Sequence, residues 1–371
     1  MLTSAQASLL NALANALTEQ PVGVLSEDVI KEAEQQSVLS LITNGNYAKS
    51  IFANNYRLLW EQQQLEAVLA GVQFTVLKGA AASIYYPEPL RRTLGDIDIL
   101  VKREDYERAK TILVSNGYQP GAEDERHIHY YKNRLVIELH RRFATLQTIE
   151  QERLLDNWLS ESPIEVKQIG RFTFPMLPEE QNGLVLLTHI NQHLEEGLGL
   201  RQILDWIMYV NHSLSDQEWP SFKEKADQLG LTTIAKVVAK LGQMYLGLNS
   251  QLTWCSDAAD KTVYKLLEYA FECGNFGHKN PNNNTVVMVM SHGRGIVGFF
   301  RNLQRQGLEN WTELKKQPYL KPVAWVYQLC RYIRLGLEKT RFRDLLQNWR
   351  SSRKRNQLMD ELGATRVALK R

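Results

Sequence analysis

The sequence predicts an α+β protein, in which a small mixed-sheet module lies between a short helical N-terminal segment and a large helical C-terminal region. Three observations predict this class. Apolar residues recur at helical spacing from about residue 4 to residue 71. Strand and helix patterns then alternate over about residues 72–143, and beyond Pro178 the apolar pattern is helical almost to the end of the sequence.

These changes of pattern predict three units, at residues 1–71, 72–177 and 178–371. With 371 residues, of which 44% are hydrophobic, the chain is long enough to bury a substantial core. It is also near the length at which single cores divide into domains.

The individual elements follow from the local patterns, in chain order. Leu9, Leu13 and Leu17 form one helical stripe, and residues 74–77 form a short strand that ends at Gly79. A helix is expected over residues 80–86, because Pro87 then stops it. The further elements are a strand at 96–101, a helix at 103–116, strands at 127–132 and 135–143 joined by a turn at Asn133, a hairpin at 164–176 with its turn at Gly170, and helices beyond 178.

Composition excludes several classes of protein. The net charge of +3 is only mildly basic and does not by itself indicate a nucleic-acid binder. Cys255, Cys273 and Cys330 are too few and too far apart for a disulfide framework, which favours a reducing compartment. The N-terminus lacks the basic start of a signal peptide, and charged residues interrupt the apolar stretch at residues 285–300. We therefore expect a cytoplasmic protein without membrane insertion.

Three carboxylates are the candidates for chemistry. Alternate side chains of a strand point to the same side, so Asp96 and Asp98 should project together while their neighbours enter the core. Glu138 lies between apolar residues in another predicted strand and completes the cluster if the two strands are adjacent. Clustered carboxylates need cations, and such hard oxygen ligands suit magnesium. Two magnesium ions can clamp a triphosphate during an in-line displacement.

Phosphate-binding groups are expected beside these acids. Gly79 separates a strand from a helix, where backbone N–H groups can approach a phosphate. Lys78 and Arg92 are nearby cations that can either bind phosphates or pair with a carboxylate, whereas Arg91 is expected at the surface. His140 should share the face of Glu138, where it positions a substrate or hydrogen-bonds a metal-bound carboxylate.

The run from Val76 to Ala80 (VLKGA), the segment YYPEPLRRTLGDIDILV at residues 85–101 and IELH at residues 137–140 resemble the family of uncharacterised nucleotidyltransferases. That family belongs to the DNA polymerase beta-like nucleotidyltransferase superfamily. The resemblance covers roughly residues 72–210, and its later helical part has a His-x-x-x-His segment and an Arg...Asp pair. Here these would be His189, His193, Arg201 and Asp205.

The resemblance implies transfer of a nucleoside monophosphate from a nucleoside triphosphate, with release of pyrophosphate. Asp96, Asp98 and Glu138 would be the catalytic metal ligands for two Mg²⁺ ions. Lys78, Gly79, Arg92 and His140 would bind the nucleotide, for which ATP is the expected donor. The acceptor can be a small molecule, a saccharide, a peptide, a protein or an RNA.

Several residues keep alternative interpretations. His189 and His193 have the spacing of zinc ligands but lack the glutamate of the HExxH motif, so we expect them to face a cleft or to pack structurally. Asp205 can be the ion-pair partner of Arg201 at i,i+4 spacing. The basic residues of the run at 341–355 either attract RNA or cover a solvated helix face: Arg341, Arg343, Arg350, Arg353, Lys354 and Arg355.

Two other functions compete with the enzyme. Gly79 is followed by Ala80 where the superfamily has a second glycine or a serine, which allows a catalytically degenerate nucleotide-binding or scaffold protein. The basic run at residues 341–355 allows an RNA-directed nucleotidyltransferase or toxin, whose RNA affinity would fall steeply with salt.

Overall fold

The computed structural model describes residues 2–124, 126–143, 146–279, 323, 325–327, 330 and 354–364, with the backbone alone at residues 195 and 196. The apolar stretch at residues 285–300 and the basic run at 341–355, except Lys354 and Arg355, lie outside the described residues. None of the helices in this part of the chain is long and apolar enough to cross a bilayer.

Four helices precede the sheet, as the apolar spacing predicts: α1 (Ser4–Leu17), α2 (Glu27–Gln35), α3 (Leu39–Ile42) and α4 (Asn46–Val68). A capping box begins α1, because the Thr3 hydroxyl accepts from the Gln6 N–H and the Gln6 side chain accepts from the Thr3 N–H. Leu9 and Leu13 on α1 are fully buried and join the same core as the C-terminal helices.

Within the described residues, seven strands form one mixed sheet: β1 (Phe74–Leu77), β2 (Ile97–Val101), β3 (Gln119–Glu123), β4 (His127–Lys132), β5 (Leu135–His140), β6 (Glu165–Ile169) and β7 (Phe172–Met176). Their order is β3-β4-β5-β2-β1-β7-β6. The central strand β2 runs parallel to β5 and antiparallel to β1, and β1 runs parallel to β7. In the described chain, three α-helices lie between strands, α5 (Gly79–Ser83), α6 (Tyr106–Ser115) and α7 (Ile149–Glu161), together with short 3-10 helices at Pro89–Arg91 and Arg103–Asp105.

The two faces of the sheet have different surroundings. Side chains such as Ile97, Ile99 and Ile137 point into a core that also contains Leu65 of α4 and Leu113 of α6. Since strand side chains alternate, the residues between them, including Asp98 and Glu138, point to the opposite face. That face carries the polar side chains of the candidate site.

The described residues beyond β7 are largely helical, with α8 (Glu179–Glu196), α9 (Leu200–Ser213), α10 (Trp219–Leu229), α11 (Thr232–Leu246), α12 (Asp260–Cys273) and a helical stretch at residues 354–362. Asn182 ties α8 to the segment after β1, because its Nδ2 donates to the Ala81 carbonyl and to the Tyr85 hydroxyl, each at 2.9 Å. The predicted fold class is confirmed. The division into three units at residues 71/72 and 177/178 stays a prediction.

The structure corrects several element boundaries. β2 begins at Ile97, so Asp96 precedes the strand, and α5 ends at Ser83 rather than at residue 86. β5 ends at His140, three residues earlier than expected. Strand β3 was not predicted, because Gln119–Glu123 is exposed throughout and lacks the alternation of a half-buried strand. The turns at Asn133 and Gly170 are confirmed, and both residues have positive φ (55° and 58°).

Candidate active site

Asp98 and Glu138 come together because of the strand register. They are directly paired residues of the parallel strands β2 and β5, so both carboxylates project from the same place on the same face. The Asp98 side chain is only 4% exposed and that of Glu138 is 16% exposed. Burying two neighbouring carboxylates is costly unless cations compensate them.

Lys78 provides one of those cations. Its Nζ lies 2.5 Å from Oδ1 of Asp98 and 3.9 Å from Oε2 of Glu138. Burial alone would lower the pKa of Lys78, but the charges of Asp98, Glu138 and Asp96 outweigh burial and raise its pKa above the usual value. Lys78 therefore carries its charge at neutral pH. Its φ of 50° and ψ of −136° are rare for a residue with a side chain, and such strain tends to occur at functional sites.

His140 is the second side chain that contacts both carboxylates. Its Nε2 lies 2.9 Å from Oδ1 of Asp98 and 3.3 Å from Oε2 of Glu138. Burial lowers the pKa of this imidazole, yet its hydrogen bonds to the two carboxylates raise the pKa above 6.5 overall. In return, and against the effect of burial, the hydrogen bond from His140 and the charge of Lys78 lower the pKa of Glu138 to about 2. Glu138 is therefore ionised at neutral pH.

The donor set suits a divalent cation. One ligand atom from each of Asp98, Glu138 and His140 can be chosen so that all lie within 4.8 Å of one another. Asp96 is not in this group: it is exposed and lies just before β2. Its charge nevertheless raises the pKa of Lys78, so it contributes to the same negative field. The structure thus brings together two of the three predicted carboxylates and leaves Asp96 at the rim.

Arg92 takes a structural position instead of the predicted phosphate contact. Its side chain is buried, its Nε donates to Oδ1 of Asp205 at 2.9 Å, and one terminal nitrogen donates to Oδ2 of Asp205. The other terminal nitrogen donates to the Thr93 carbonyl at 3.0 Å. All three nitrogens of the guanidinium are therefore engaged. The sequence allows Arg92 either to bind phosphate or to pair with a carboxylate, and in the structure it pairs with a carboxylate.

Asp205 consequently has a different partner from the one expected at i,i+4 spacing. Its carboxylate faces Arg92 and also accepts from the Tyr86 hydroxyl at 2.9 Å, so the predicted pairing with Arg201 is wrong. Arg201 is partly buried: one of its terminal nitrogens donates to the Thr93 carbonyl at 3.3 Å, and its guanidinium lies 5.0 Å from the centre of the Phe276 ring. Within the part of the chain that the structure describes, its Nε has no partner.

Gly79 begins α5 with a φ of +28°. The nearest atom to a Cβ built at this position would be the Asp96 carbonyl oxygen at 3.9 Å. The space in front of Gly79 is therefore open, although α5 has only five residues and its dipole is correspondingly small. The predicted phosphate contact of Gly79 stays a prediction.

Two histidines of β4 were not among the predicted site residues. His127 and His129 point to the same face as Glu138, and Nε2 of His129 lies 3.1 Å from Oε1 of Glu138. The sequence did contain a signal, since His-x-His in a strand places both rings on one side. That they face Glu138 depends on the register of β4 against β5, which the local pattern does not specify.

His189 and His193 of α8 form a contact with each other. Their Nε2 atoms lie 2.8 Å apart, and both side chains are almost fully buried. Burial, together with the positive charges of Lys78 and Arg201, lowers the pKa of His193 to about 3, and the pKa of His189 is also well below its usual value. Both rings are thus neutral at physiological pH and lie close enough to Lys78 to feel its charge.

This burial predicts a pH dependence of stability. A histidine in the unfolded chain takes up a proton near pH 6.5, whereas His193 in the folded protein does so only near pH 3. The contribution of His193 to the free energy of unfolding should therefore be fully present above pH 6.5. It should be lost progressively as the pH is lowered toward 3. The expected slope is about 1.4 kcal/mol per pH unit for this residue.

The measurement is urea denaturation at a series of pH values from 7 to 5 in wild type and in His193→Gln. Below pH 6.5, the free energy of unfolding of the variant should depend less steeply on pH than that of the wild type. The difference in slope should correspond to the uptake of about one proton on unfolding. His212→Gln, at an exposed position, is the control and should keep the wild-type slope. Equal slopes in wild type and His193→Gln would contradict the assignment of a neutral His193.

The chain is similar to a protein family and to a solved structure. Residues 6–247, well over half of the chain, match the model of a family described as uncharacterised nucleotidyltransferase. Among solved structures, the chain is similar to an antigenic nucleotidyltransferase-like protein from Paracoccidioides brasiliensis, at 14% sequence identity and a TM-score of 0.29, over 49% of this chain and 90% of that one. A TM-score this low supports no conclusion about the fold of this chain. No curated protein matches the sequence.

Proposed function

This chain belongs to the family of uncharacterised nucleotidyltransferases, and from that membership we propose that it transfers a nucleoside monophosphate from a nucleoside triphosphate to an acceptor. The observation that carries the proposal is the pairing of Asp98 and Glu138 across β2 and β5, with Lys78 against both. It supports a site that binds a metal-bound triphosphate and releases pyrophosphate.

Asp98 and Glu138, with Asp96 at the rim, would hold Mg²⁺. When bound, the metal would neutralise the triphosphate and stabilise the attacking and leaving oxygens of an in-line displacement. Lys78 would be the cation nearest the phosphates, since it already lies between the two carboxylates. His140 would hold the Asp98 carboxylate in place through its Nε2.

Arg201 replaces Arg92 as the second proposed phosphate-binding cation. Burial and the charge of Arg92 lower the pKa of Arg201 to about 10, so the guanidinium still carries its charge at neutral pH. The N–H group of its Nε has no hydrogen-bond acceptor within the described residues, whereas Arg92 is already bound to Asp205. A triphosphate oxygen is the kind of acceptor that would use such a donor.

The test is isothermal titration of the full chain with ATP, GTP, CTP and UTP, each with and without Mg²⁺. We expect Mg²⁺-dependent binding of one nucleotide, with ATP as the first candidate. The binding should vanish in the Asp96→Asn, Asp98→Asn double variant. It should persist in the matched Asp257→Asn, Asp260→Asn variant, which alters two exposed carboxylates that pair with Lys236 and Lys240. If the wild type binds no nucleotide with Mg²⁺ present, the proposal is wrong.

One observation favours a second function. Lys78 already places a positive charge of the chain against the buried carboxylates, and His140 contacts both of them. A site balanced in this way can bind a nucleotide without metal and act as a sensor or scaffold. Nucleotide affinity that does not change on removal of Mg²⁺, together with no pyrophosphate release, would favour this function over transfer.

A further inference from the structure

A second group of donors lies on the same face of the sheet, toward its β3 edge. His127 and His129 are two residues apart on β4, so both rings project toward Glu138 on the neighbouring strand β5. Nε2 of His129 lies 3.1 Å from Oε1 of Glu138, and Nε2 of His127 lies 4.0 Å from the same oxygen. The donor atoms of all three residues lie within 4.8 Å of one another.

The ring of His129 is oriented in the way that metal ligands usually are. Nδ1 of His129 lies 3.3 Å from the Ala122 carbonyl oxygen. An oxygen acceptor at one ring nitrogen fixes the tautomer and directs the lone pair of the other nitrogen outward. In His129 that outward nitrogen is Nε2, which lies 3.1 Å from Oε1 of Glu138. Nδ1 of His127 makes no hydrogen bond within the described residues, and its nearest carboxylate oxygen, Oδ1 of Asp124, is 3.5 Å away.

The access of the three groups also suits a ligand set. All three side chains are partly exposed, at 12% for His127, 29% for His129 and 16% for Glu138. An ion could therefore enter from solvent.

We propose that His127, His129 and Glu138 form a binding site for a divalent transition-metal ion, with Zn²⁺ as the best-matched ion. Two imidazole nitrogens and one carboxylate oxygen form a ligand set that zinc accepts, whereas Mg²⁺ and Ca²⁺ prefer oxygen ligands alone. The site is separate from the proposed nucleotide-metal centre in its donors, except that Glu138 belongs to both. Oε1 of Glu138 faces the histidines of β4, and its Oε2 faces His140 and Lys78.

The sharing of Glu138 gives the ion a consequence for the neighbouring centre. A cation held at Oε1 would withdraw negative charge from the carboxylate whose other oxygen faces Lys78. It would also fix the orientation of the Glu138 side chain. Binding of the ion itself does not require the proposed transfer activity, so the two proposals can fail independently.

The test is titration of the metal-free full chain with Zn²⁺ by calorimetry and with Co²⁺ by visible absorption. The wild type should bind one equivalent of either ion, with a Co²⁺ spectrum of low coordination number, and an equal concentration of Mg²⁺ should not displace it. His127→Asn and His129→Asn should each weaken binding by at least roughly 100-fold, since even residues that only orient ligands change affinity 10- to 100-fold. His212→Asn should bind like the wild type.

Thermal melts of each variant establish that it is folded. X-ray absorption of the Zn²⁺-loaded wild type gives a measurement that needs no variant, and it should show two imidazole nitrogens at the metal. The proposal is overturned if the wild type does not bind the ion, if Mg²⁺ competes at equal concentration, or if the His127 and His129 variants bind as tightly as His212→Asn. Zn²⁺ binding retained in the Asp96→Asn, Asp98→Asn variant, alongside lost nucleotide binding, would show that the sites are separate.

Discussion

Replacing Asp98 by asparagine should lower the rate of pyrophosphate release at least roughly a thousand-fold, because a metal-binding carboxylate contributes several kcal/mol of charge stabilisation in the transition state. Asparagine keeps the shape of the side chain but removes the charge that Lys78 and His140 face. The variant should still fold, since Glu138 remains beside both Lys78 and His140. Release is measured with the nucleotide that binds most tightly, in the presence of pooled small molecules, saccharides, peptides or RNA as acceptors.

The control for this variant separates loss of function from loss of the fold. Asp257→Asn also removes one aspartate charge from an ion pair with a lysine, but that pair is at the surface and should contribute less than about 1 kcal/mol. Thermal melts of both variants would show the fold, and titration would show whether nucleotide affinity falls along with the rate. Full activity in Asp98→Asn would remove this residue from the catalytic centre.

Replacing Arg92 by methionine should destabilise the protein by about 3–5 kcal/mol, because it leaves the buried carboxylate of Asp205 without its charged partner. Both side chains are nearly inaccessible, at 4% and 2% exposure. A phosphate-binding arginine at the surface of a cleft would have the opposite profile, with a small effect on stability and a large effect on nucleotide affinity. Urea denaturation of the protein without nucleotide measures the difference.

The neighbouring arginine supplies the matched control. Arg91 lies one residue away, pairs with the exposed Glu88 at 2.8 Å and donates to the Thr43 carbonyl at 3.2 Å and to Oδ1 of Asn44, but it leaves no buried carboxylate without a partner. Arg91→Met should therefore destabilise the protein less than Arg92→Met. The double variant Arg92→Met, Asp205→Leu should recover part of the loss, since it removes both buried charges. If Arg92→Met is as stable as Arg91→Met, the buried ion pair does not hold the helical region to the segment before β2.

Much of the fold follows from local sequence patterns. Alternation of polar and apolar residues identified β2 and correctly placed Ile97 and Ile99 in a core. Two strand-like runs joined by a turn at Asn133 identified β4 and β5. The turns at Asn133 and Gly170 followed from residues that tolerate positive φ. Patterns of this kind are readable because each residue's direction along a strand or helix depends only on its near neighbours.

The ends of elements were less accessible to sequence analysis. The pattern from Asp96 to Asp98 suggested one continuous strand, but β2 begins only at Ile97, where pairing with β5 begins. Asp96 therefore lies outside the buried group. Strand β3 is defined by its hydrogen bonds to β4 and not by any apolar face of its own, so no local pattern predicted it.

The sequence by itself determined the fold class, most of the strands and the identity of the acids and bases, because those depend on residue type and short-range periodicity. Only the tertiary structure decided which of them meet. Arg92 finds Asp205 at a separation of 113 residues, and Asp98 lies beside Glu138 because of one strand register. His127 and His129 reach Glu138 through another register. A register is set by how distant segments pack together. A shift of one residue would turn Asp98, His127 or His129 to the other face of the sheet.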